Sequence, residues 1–376
     1  MARVQPARRQ GRVSDSQTIL LSAGGTGGHL YPAEALAAEL LSRGYTVAII
    51  TDKRGHAFKS LGDRVNIYTV RAATLRPGIA AKIRAVIDMG LGVLSALRLV
   101  HKLKPALVVG FGGYPSFPGV LASQMLGKPT ILHEQNAVLG KANVLLAPRA
   151  RKIALSLSGT RGLKAAQEKK AVVTGNPVRA PIMAVRDVAY QPPAARFKIL
   201  ITGGSQAASV FADVVPEALK NLPEQIKSQL YVMHQCREND IAATAKKYAD
   251  MGIEAETASF FSDMAERLAG CQLFIGRSGA STVAELAVAG RPAIFVPYPG
   301  HQDMQQKHNA DIIAHAGGAW VFLQPDFTPA ALAEKIRAFA EEPALLSQAA
   351  AAAATCGQTG ATAKLADLAA QEAAAP

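Results

Sequence analysis

Three glycine-rich turns, each directly after a short apolar run, carry the first indication of chemistry in this chain. They lie at residues 23–29, 110–114 and 203–206. A strand that ends in glycines and passes into a helix leaves free backbone N–H groups at the positive helix end, where phosphate or a similar anion binds. Two of the three turns lie about half a chain apart, which indicates two α/β halves that face one ligand.

The first turn, residues 24–28, ends directly before His29. Its glycine spacing differs from the dinucleotide-binding fingerprint, although Asp52 after the second predicted strand keeps an oxidoreductase as an alternative. No Gly-Lys-Ser/Thr follows any of the turns, which argues against a nucleotide-hydrolase phosphate loop. At a helix start His29 is expected to be a neutral imidazole that accepts a proton; the alternative is a histidine that only hydrogen-bonds the turn.

Polar side chains end another predicted strand at 133–136, where the residues are His, Glu, Gln and Asn. The His-Glu pair resembles a zinc-peptidase motif, but the second histidine is missing because position 137 is Ala137. No metal site is therefore predicted, and polar groups at a strand end are suited to binding hydroxyls or amides.

A turn rich in small residues, 277–285, joins a later predicted strand to a helix. Its N–H groups are suited to a diphosphate, and Glu285 to the hydroxyls of a ribose. The alternative is an ordinary capped helix, with Ser281 or Thr282 as the cap and Glu285 in the capping-box position. Gln305 and Gln306 follow the next buried strand; buried amides favour a sugar as partner, although a plain polar loop is the simpler interpretation.

The chain has no Asp-x-Asp, so any sugar-nucleotide chemistry is expected to be independent of a metal. Its net charge of +13 indicates an acidic partner: nucleic acid, an anionic membrane or a phosphorylated substrate. Residues 71–104 hold seven basic residues and one acid, Asp88, interleaved with aliphatic residues. Either this is a core face with a solvated basic side, or it is a helix that lies on an anionic membrane. Aromatic residues are nearly absent there, so nucleic-acid binding is not predicted.

Targeting signals are weak. Residues 1–17 contain four arginines and no apolar stretch, which predicts a disordered leader rather than a signal peptide. Residues 105–127 are uncharged but interrupted by glycines and prolines, so a strand, a turn and a helix explain them better than a membrane span.

Cys236, Cys271 and Cys356 have no paired spacing and are expected to be free thiols in a reducing cytoplasm. We therefore expect a soluble or peripheral protein.

The elements that must position the candidate residues alternate between strands and helices. In the first half, strands are predicted at 18–22, 46–51, 106–109 and 129–133, and helices at 31–42 and 117–125. After a proline-rich boundary between 176 and 193, strands follow at 198–202, 229–233, 272–275 and 293–296, and helices at 210–220 and 281–289. Such alternation predicts parallel sheets with helices on both faces and function at the carboxyl ends of the strands. The alanine-rich tail, 348–375, is predicted to be a terminal helix that packs back on one domain.

Taken in order, these segments resemble the MurG family of bacterial peptidoglycan N-acetylglucosaminyltransferases over roughly residues 18–345. The resemblance rests on residues 24–29, 110–116, 133–136, 175–179, 203–206, 277–285 and 305–306. It implies an α/β GT-B fold, in which two Rossmann-like doubly wound domains face a deep cleft. The predicted organisation is an acceptor and membrane-side domain (18–180), a linker (181–196), a UDP-sugar-binding domain (197–345) and a helical tail (346–376) packed on the N-terminal domain. The disordered basic leader (1–17) is additional to the family pattern.

The family activity that the resemblance implies is inverting transfer of N-acetylglucosamine from UDP-N-acetylglucosamine to the C4 hydroxyl of undecaprenyl-diphosphate-linked N-acetylmuramyl-pentapeptide, with no cofactor. It implies a peripheral protein on the cytoplasmic face of the bacterial inner membrane, in contact with an anionic membrane surface. Other cell-wall and division proteins are further expected partners, and nucleic acid is not an expected partner. A GT-B enzyme with another acceptor, a UDP-N-acetylglucosamine epimerase and a nonenzymatic membrane scaffold remain as alternatives.

The resemblance also assigns roles to residues, with His29 as the candidate general base. Thr26, Gly27 and Gly28 would lie where the donor meets the acceptor, and Asn136, Gln305 and Gln306 would bind the donor sugar. Arg179 and Ser205 would bind the diphosphate, and the backbone of Phe261 would bind the uracil. The diphosphate and ribose would also be bound by the start of a helix, namely Ala280, Ser281, Thr282, Val283, Ala284 and Glu285. The acceptor diphosphate would be bound by Gly25, Gly112, Gly113 and Tyr114. One departure is Ala207, which stands where the family usually has glycine.

Overall fold

The computed structural model describes residues 17–52, 55–73, 78–204, 208–300 and 303–375. Within these residues the chain forms two sheets in which all neighbouring strands are parallel. The first contains β1 (Thr18–Ser22), β2 (Thr46–Thr51), β3 (Asn66–Thr69), β4 (Leu107–Gly110), β5 (Thr130–Glu134), β6 (Lys152–Leu155) and β7 (Ala171–Val173). The second contains β8 (Phe197–Thr202), β9 (Leu230–Gln235), β10 (Glu254–Ala258), β11 (Leu273–Gly276), β12 (Ala293–Phe295) and β13 (Ala319–Val321).

Helices connect the strands. In the first half they are α1 (Gly27–Ser42), α2 (Ile79–Leu103), α3 (Gly113–Met125), α4 (Lys141–Leu146), α5 (Ala165–Glu168) and α6 (Ala180–Met183). The later helices are α7 (Ser209–Lys220), α8 (Glu224–Lys227), α9 (Ile241–Asp250), α10 (Met264–Gly270), α11 (Ala280–Ala289), α12 (Gln305–His315), α13 (Pro329–Glu341), α14 (Ala344–Thr355) and α15 (Ala361–Ala374).

The strand order in each sheet confirms the predicted pair of doubly wound α/β domains. The orders are β3-β2-β1-β4-β5-β6-β7 and β10-β9-β8-β11-β12-β13. In each sheet the strand order therefore reverses between the first strand, β1 or β8, and the strand on its other side, β4 or β11. In open α/β sheets ligands bind outside the carboxyl ends of the strands at this reversal. The turns after β1, β4, β8 and β11 are therefore where a site is expected.

The predicted elements differ from the observed ones mainly at their ends. Helix α3 begins at Gly113, four positions before the predicted start, and it includes Pro115 and Pro118. A proline in the first turn costs no hydrogen bond, since the first N–H groups of a helix have no partner inside it. Helix α1 likewise begins at Gly27 rather than at residue 31, which places His29 in its first turn as predicted.

The tail is two helices rather than the single predicted one. Residues 356–360 separate α14 from α15, and Gly357 and Gly360 interrupt the alanine-rich run. Helix α14 packs on α11 in the second half, whereas Leu365 and Ala369 of α15 lie in the core that α1 shares with the first sheet. The C-terminal helix α15 therefore packs on the first half of the chain.

Helix α2 exposes its large apolar residues. The residues that it buries are small or lie near its end, namely Ala85, Gly92, Ala96 and Val100, whereas Ile79 is 80% and Val86 65% exposed. Interpreting the apolar stripe as a core face is therefore wrong for most of the helix. Leu75 and Arg76, which belong to the same basic segment, lie outside the described residues, as do residues 1–16 of the predicted leader. Among the described helices, none combines the length and apolar character that crossing a membrane requires.

Candidate active site

The first glycine turn connects β1 to α1 in a conformation that depends on glycine. Gly25 has φ of +87°, and a Cβ on Gly24 would lie 2.6 Å from the Cβ of Pro115. Thr26 is extended and makes no side-chain cap bond, so its side chain does not cap the first N–H groups of α1. Asp52 accepts a hydrogen bond from the Gly25 N–H at 3.3 Å, so it supports the turn itself.

The second glycine turn closes against His29. Nδ1 of His29 lies 2.8 Å from the carbonyl oxygen of Phe111 and 3.1 Å from Oε1 of Gln135. Gly112 and Gly113 have φ of +75° and +69°, and a Cβ on Gly113 would lie 3.1 Å from Nε2 of His29. The structure therefore brings together His29, the turn predicted to bind the acceptor diphosphate, and the polar end of β5. Tyr114 follows in the first turn of α3.

Glu134, at the end of β5, organises the loop that follows it. Its Oε1 accepts from the backbone N and Nδ2 of Asn136 at 3.0 and 3.1 Å. Its Oε2 accepts from the Gly140 N–H and from Nδ2 of Asn143, both at 2.8 Å. Such charge-assisted bonds in a buried position fix the loop and the orientation of the Asn136 amide.

The turn after β11, which was predicted to bind the donor diphosphate, does not lead into the side-chain-capped helix that the local sequence alone would allow. Helix α11 begins at Ala280 without a side-chain cap. The hydroxyl of Ser281 instead donates to the carbonyl oxygen of Gly28 at 3.2 Å, across the two halves. Thr282, Val283 and Ala284 continue the first turns of the helix beside it. The glycine turn of the first half and the helix start of the second half are therefore in direct contact.

Glu285 pairs with Arg179. Nη2 of Arg179 lies 3.2 Å from Oε1 of Glu285, and the guanidinium carbon lies 3.8 Å from the centroid of the Tyr31 ring. Burial raises the pKa of the Glu285 carboxyl, and the charge of Arg179 opposes this shift. Nε of Arg179 is buried without a hydrogen-bond partner among the described residues.

Gln305 and Gln306 begin α12 next to the same turn. Oε1 of Gln306 accepts from the Tyr298 N–H at 3.0 Å, and the carbonyl oxygen of Gln306 accepts from the Ser278 hydroxyl at 2.7 Å. The loop after β12 is thereby held beside the loop after β11. Phe261 is buried with the Arg267 guanidinium 3.8 Å from its ring centroid, which leaves its backbone as the part suited to a base. Ser205, with Gln206 and Ala207, lies outside the described residues.

Asn309 is a residue of this region that the sequence did not single out. It is 1% exposed and lies on α12, where Oδ1 accepts from the Ala137 N–H at 3.0 Å. Its Nδ2 donates to Oδ1 of Asn136 at 3.2 Å and to the Ser278 carbonyl at 3.3 Å. Its position one turn after Gln305 was the only available signal, because its partners lie far away along the chain. Tyr31 was missed for the same reason.

Comparison with known proteins identifies the family to which the chain belongs. The family models for the glycosyltransferase family 28 N-terminal and C-terminal domains match residues 19–155 and 198–371. The UDP-N-acetylglucosamine--N-acetylmuramyl-(pentapeptide) pyrophosphoryl-undecaprenol N-acetylglucosamine transferase of Rhodospirillum centenum is 50% identical over 351 residues, 93% of each chain. The protein of the same name from Sphingopyxis alaskensis is 44% identical over 360 residues, covering 95% of this chain and 92% of its own.

Solved structures show the same relationship. The MurG structure from Acinetobacter baumannii has a TM-score of 0.73 at 32% identity, covering 94% of this chain and 99% of its own. The kitacinnamycin glycosyltransferase structure, at 17% identity and a TM-score of 0.70, covers 96% of this chain and all of its own and supports the GT-B fold. On these matches the chain belongs to glycosyltransferase family 28, within the MurG group of GT-B enzymes.

Proposed function

We propose that this protein transfers N-acetylglucosamine from UDP-N-acetylglucosamine to undecaprenyl-diphosphate-linked N-acetylmuramyl-pentapeptide. The observation that carries the proposal is the contact between the two halves, where Ser281 at the start of α11 bonds Gly28 beside His29. A base on one half and a helix start suited to a diphosphate on the other are what sugar transfer between two diphosphate-bearing substrates requires. The names of the curated relatives state this donor and this acceptor for those proteins.

The reaction is a single in-line displacement. The C4 hydroxyl of the muramyl sugar loses its proton to Nε2 of His29 as its oxygen attacks the anomeric carbon. The bond from that carbon to the diphosphate breaks, UDP leaves, and the configuration inverts. A positioned general base of this kind contributes about 10² to 10⁴ in rate.

The second half would neutralise the leaving group. The N–H groups at the start of α11 and the Arg179 guanidinium would bind the diphosphate, because preorganised donors of this kind stabilise charge that develops on oxygen. In this structure the Arg179 guanidinium forms an ion pair with the Glu285 carboxylate. A bound diphosphate would compete for the guanidinium and supply a partner for its buried Nε, which would free Glu285 to accept from the ribose hydroxyls.

The remaining assignments follow from this division. Thr26, Gly27 and Gly28 would lie at the junction of donor and acceptor, Asn136 and Gln305–Gln306 at the sugar, Ser205 at the diphosphate and the Phe261 backbone at the uracil. The acceptor diphosphate would lie on Gly25, Gly112, Gly113 and Tyr114, next to His29. The first half, residues 18–180, is then the acceptor domain and residues 197–345 the donor domain, joined by residues 181–196.

The exposed apolar face of α2 would bring the protein to its lipid-linked substrate. Ile79, Ile83, Val86, Ile87 and Leu94 are each more than half exposed, and Lys82 and Arg84 lie among them. Basic residues beside an apolar helix face bind anionic lipid headgroups. We therefore assign peripheral binding to the cytoplasmic face of the inner membrane to this helix.

The test is acceptor-dependent release of UDP from UDP-N-acetylglucosamine by the purified full chain, with and without a chelator. Release that requires the lipid-linked muramyl-pentapeptide and survives the chelator is the expected result. Release without the acceptor, or tight donor binding with no turnover on this acceptor, would overturn the proposed acceptor.

A further inference from the structure

A chain of hydrogen bonds leads from His29 into the core of the first half. Nδ1 of His29 lies 3.1 Å from Oε1 of Gln135, and Nε2 of Gln135 lies 2.9 Å from Nδ1 of His133. The chain ends where Nε2 of His133 lies 3.1 Å from the carbonyl oxygen of Gly175. Gln135 and His133 are 2% and 0% exposed, so water does not compete for the bonds from Gln135 to His133 and from His133 to Gly175.

The far end of the chain sets the direction of every bond in it. A carbonyl oxygen can only accept, so Nε2 of His133 carries the proton that points to Gly175 at 3.1 Å; the Ser156 hydroxyl, 3.4 Å from the same nitrogen, is the more distant of its two neighbours. Complete burial lowers the pKa of His133 to about 4, so the ring is neutral at physiological pH and its Nδ1 is an acceptor. The group of Gln135 that faces this Nδ1 must therefore be the amide nitrogen.

The surroundings of Gln135 independently require the same orientation. Its Nε2 is also 3.0 Å from the carbonyl oxygen of Phe111 and 3.3 Å from that of His133. Both are acceptors, and a flipped amide would place its oxygen against them and against the His133 lone pair. Oε1 of Gln135 must consequently face His29.

His29 is therefore presented with two acceptors at the same nitrogen. Its Nδ1 faces Oε1 of Gln135 and the Phe111 carbonyl, which stabilise the tautomer with a proton on Nδ1. The lone pair is then on Nε2, at the edge of the ring that lies against Gly113 in the second glycine turn. A histidine base needs a partner that fixes its tautomer and orientation, and in many enzymes a carboxylate has this role.

We propose that Gln135 and His133 are positioning residues that hold the His29 ring with its proton on Nδ1 and its lone pair on Nε2. The inference rests on the proposed function, in which His29 is the base. The neutral amide orients the ring without placing a negative charge beside a site that must bind two diphosphates. Neither residue touches the substrates in this assignment; both act through His29.

The first test needs no substitution. The full chain is labelled with ¹⁵N-histidine, and two-bond ¹H–¹⁵N correlations are recorded above the titration range of imidazole, with His29→Gln used to assign the His29 signals. We expect an N–H-type shift for Nδ1 and an unprotonated shift for Nε2. The opposite pattern would overturn the inference, and it can be seen whether or not the protein turns over.

The second test separates positioning from structural support. Gln135→Met keeps the approximate volume but removes both hydrogen-bonding groups, and it is expected to lower kcat about 5- to 10-fold with the donor KM changed by less than about twofold. Gln124→Met is the matched control, because Gln124 also bonds Thr130 and the Leu146 carbonyl inside the first half but has no contact with His29. This control is expected to keep the wild-type kcat.

A Gln135→Met variant with the wild-type kcat, or one in which kcat and KM change as they do in Gln124→Met, would overturn the positioning role. An inactive wild-type protein would instead contradict the proposed function, and the NMR pattern would then decide the tautomer alone.

Discussion

Arg179 forms an ion pair with Glu285, with Nη2 and Oε1 3.2 Å apart across 106 positions of sequence. The pair is only partly accessible, and the Arg179 guanidinium also packs on the Tyr31 ring of α1. Through these two contacts Arg179, in the segment that follows the first sheet, joins helix α11 to α1, the helix that carries His29. Losing one member of such a pair leaves a poorly solvated charge behind.

Glu285→Gln is expected to lower kcat/KM for the donor about 10- to 100-fold. Under the proposed assignment the variant loses charge-assisted hydrogen bonds to the ribose hydroxyls, which are worth about 1.5–3 kcal/mol, and it leaves Arg179 without its counter-ion. Steady-state kinetics at saturating acceptor measure the change. Glu39→Gln, which removes a partly exposed i,i+4 partner of Arg43 on α1, is the control and is expected to match the wild type. A donor kcat/KM within about threefold of wild type in Glu285→Gln would contradict the ribose assignment.

His29→Ala is expected to lower kcat by about 10² to 10⁴ without weakening donor binding. In the proposed reaction the imidazole acts on the acceptor hydroxyl, so its removal should affect the chemical step rather than donor binding. Turnover assays give kcat, and calorimetry with UDP-N-acetylglucosamine gives the donor Kd. If the variant retained more than about a tenth of the wild-type kcat, another base would have to be sought.

Asn309→Asp is expected to damage the donor site more than Asn309→Ala does. The aspartate places an oxygen against Oδ1 of Asn136 and the Ser278 carbonyl, where the native amide donates two hydrogen bonds. The Asn136 amide cannot turn over to compensate, because its Nδ2 already bonds Glu134. We expect a donor KM raised about 3- to 10-fold in the alanine variant and more in the aspartate variant.

The control for Asn309 is His308→Ala, which removes a neighbouring contact between the halves, from His308 to Arg161 at 3.1 Å. It is expected to leave the donor KM unchanged, since that contact is exposed. Equal donor KM values in Asn309→Asp and Asn309→Ala would show that the two hydrogen bonds donated by Asn309 do not determine donor binding.

Reversing the charge of Lys82 and Arg84 on α2 is expected to weaken binding to anionic vesicles. Each basic residue near such a surface contributes about 1 kcal/mol, so the double variant should bind at least about 30-fold more weakly. Co-sedimentation with phosphatidylglycerol vesicles measures this, and Lys246→Glu on α9 in the second half is the control. Unchanged vesicle binding would mean that α2 does not contact the membrane.

The buried histidines predict how stability depends on pH. Burial lowers the pKa of His234 to about 3 and that of His133 to about 4, from an ordinary value of 6.5. The unfolded chain binds these protons below pH 6.5 and the folded chain does not, so the unfolding free energy falls as the pH decreases from 6.5. Denaturant unfolding of wild type and His234→Phe between pH 6.5 and 5 tests this. The slope should be smaller in the variant by an amount approaching 1.4 kcal/mol per pH unit, and equal slopes would contradict the burial argument.

Local features were the ones that sequence patterns could predict. The strand-glycine-helix units after β1, β4 and β11 follow from residues that are adjacent in the chain, and each forms where its pattern indicated. The capped-helix interpretation of residues 277–285 had equal local support and was wrong, because the N-cap position is Gly279, which has no side chain to accept from the first N–H groups. Ser281 lies inside the first turn and donates its hydroxyl to the Gly28 carbonyl of the other half. The apolar stripe of α2 was ambiguous for a similar reason: periodicity shows that a helix has an apolar face but not whether anything covers it.

The amino-acid sequence by itself determined the two α/β halves, the glycine-rich turns and the family, because turn conformation and strand alternation depend on near neighbours and the family motifs are read directly from the residues. Only the tertiary structure decided that Asn309 binds Asn136, that Arg179 packs on Tyr31 and that Gln135 faces His29 with its oxygen. These contacts join residues more than 100 positions apart. Their hydrogen-bond directions are set by which buried donors and acceptors the packed fold places opposite one another.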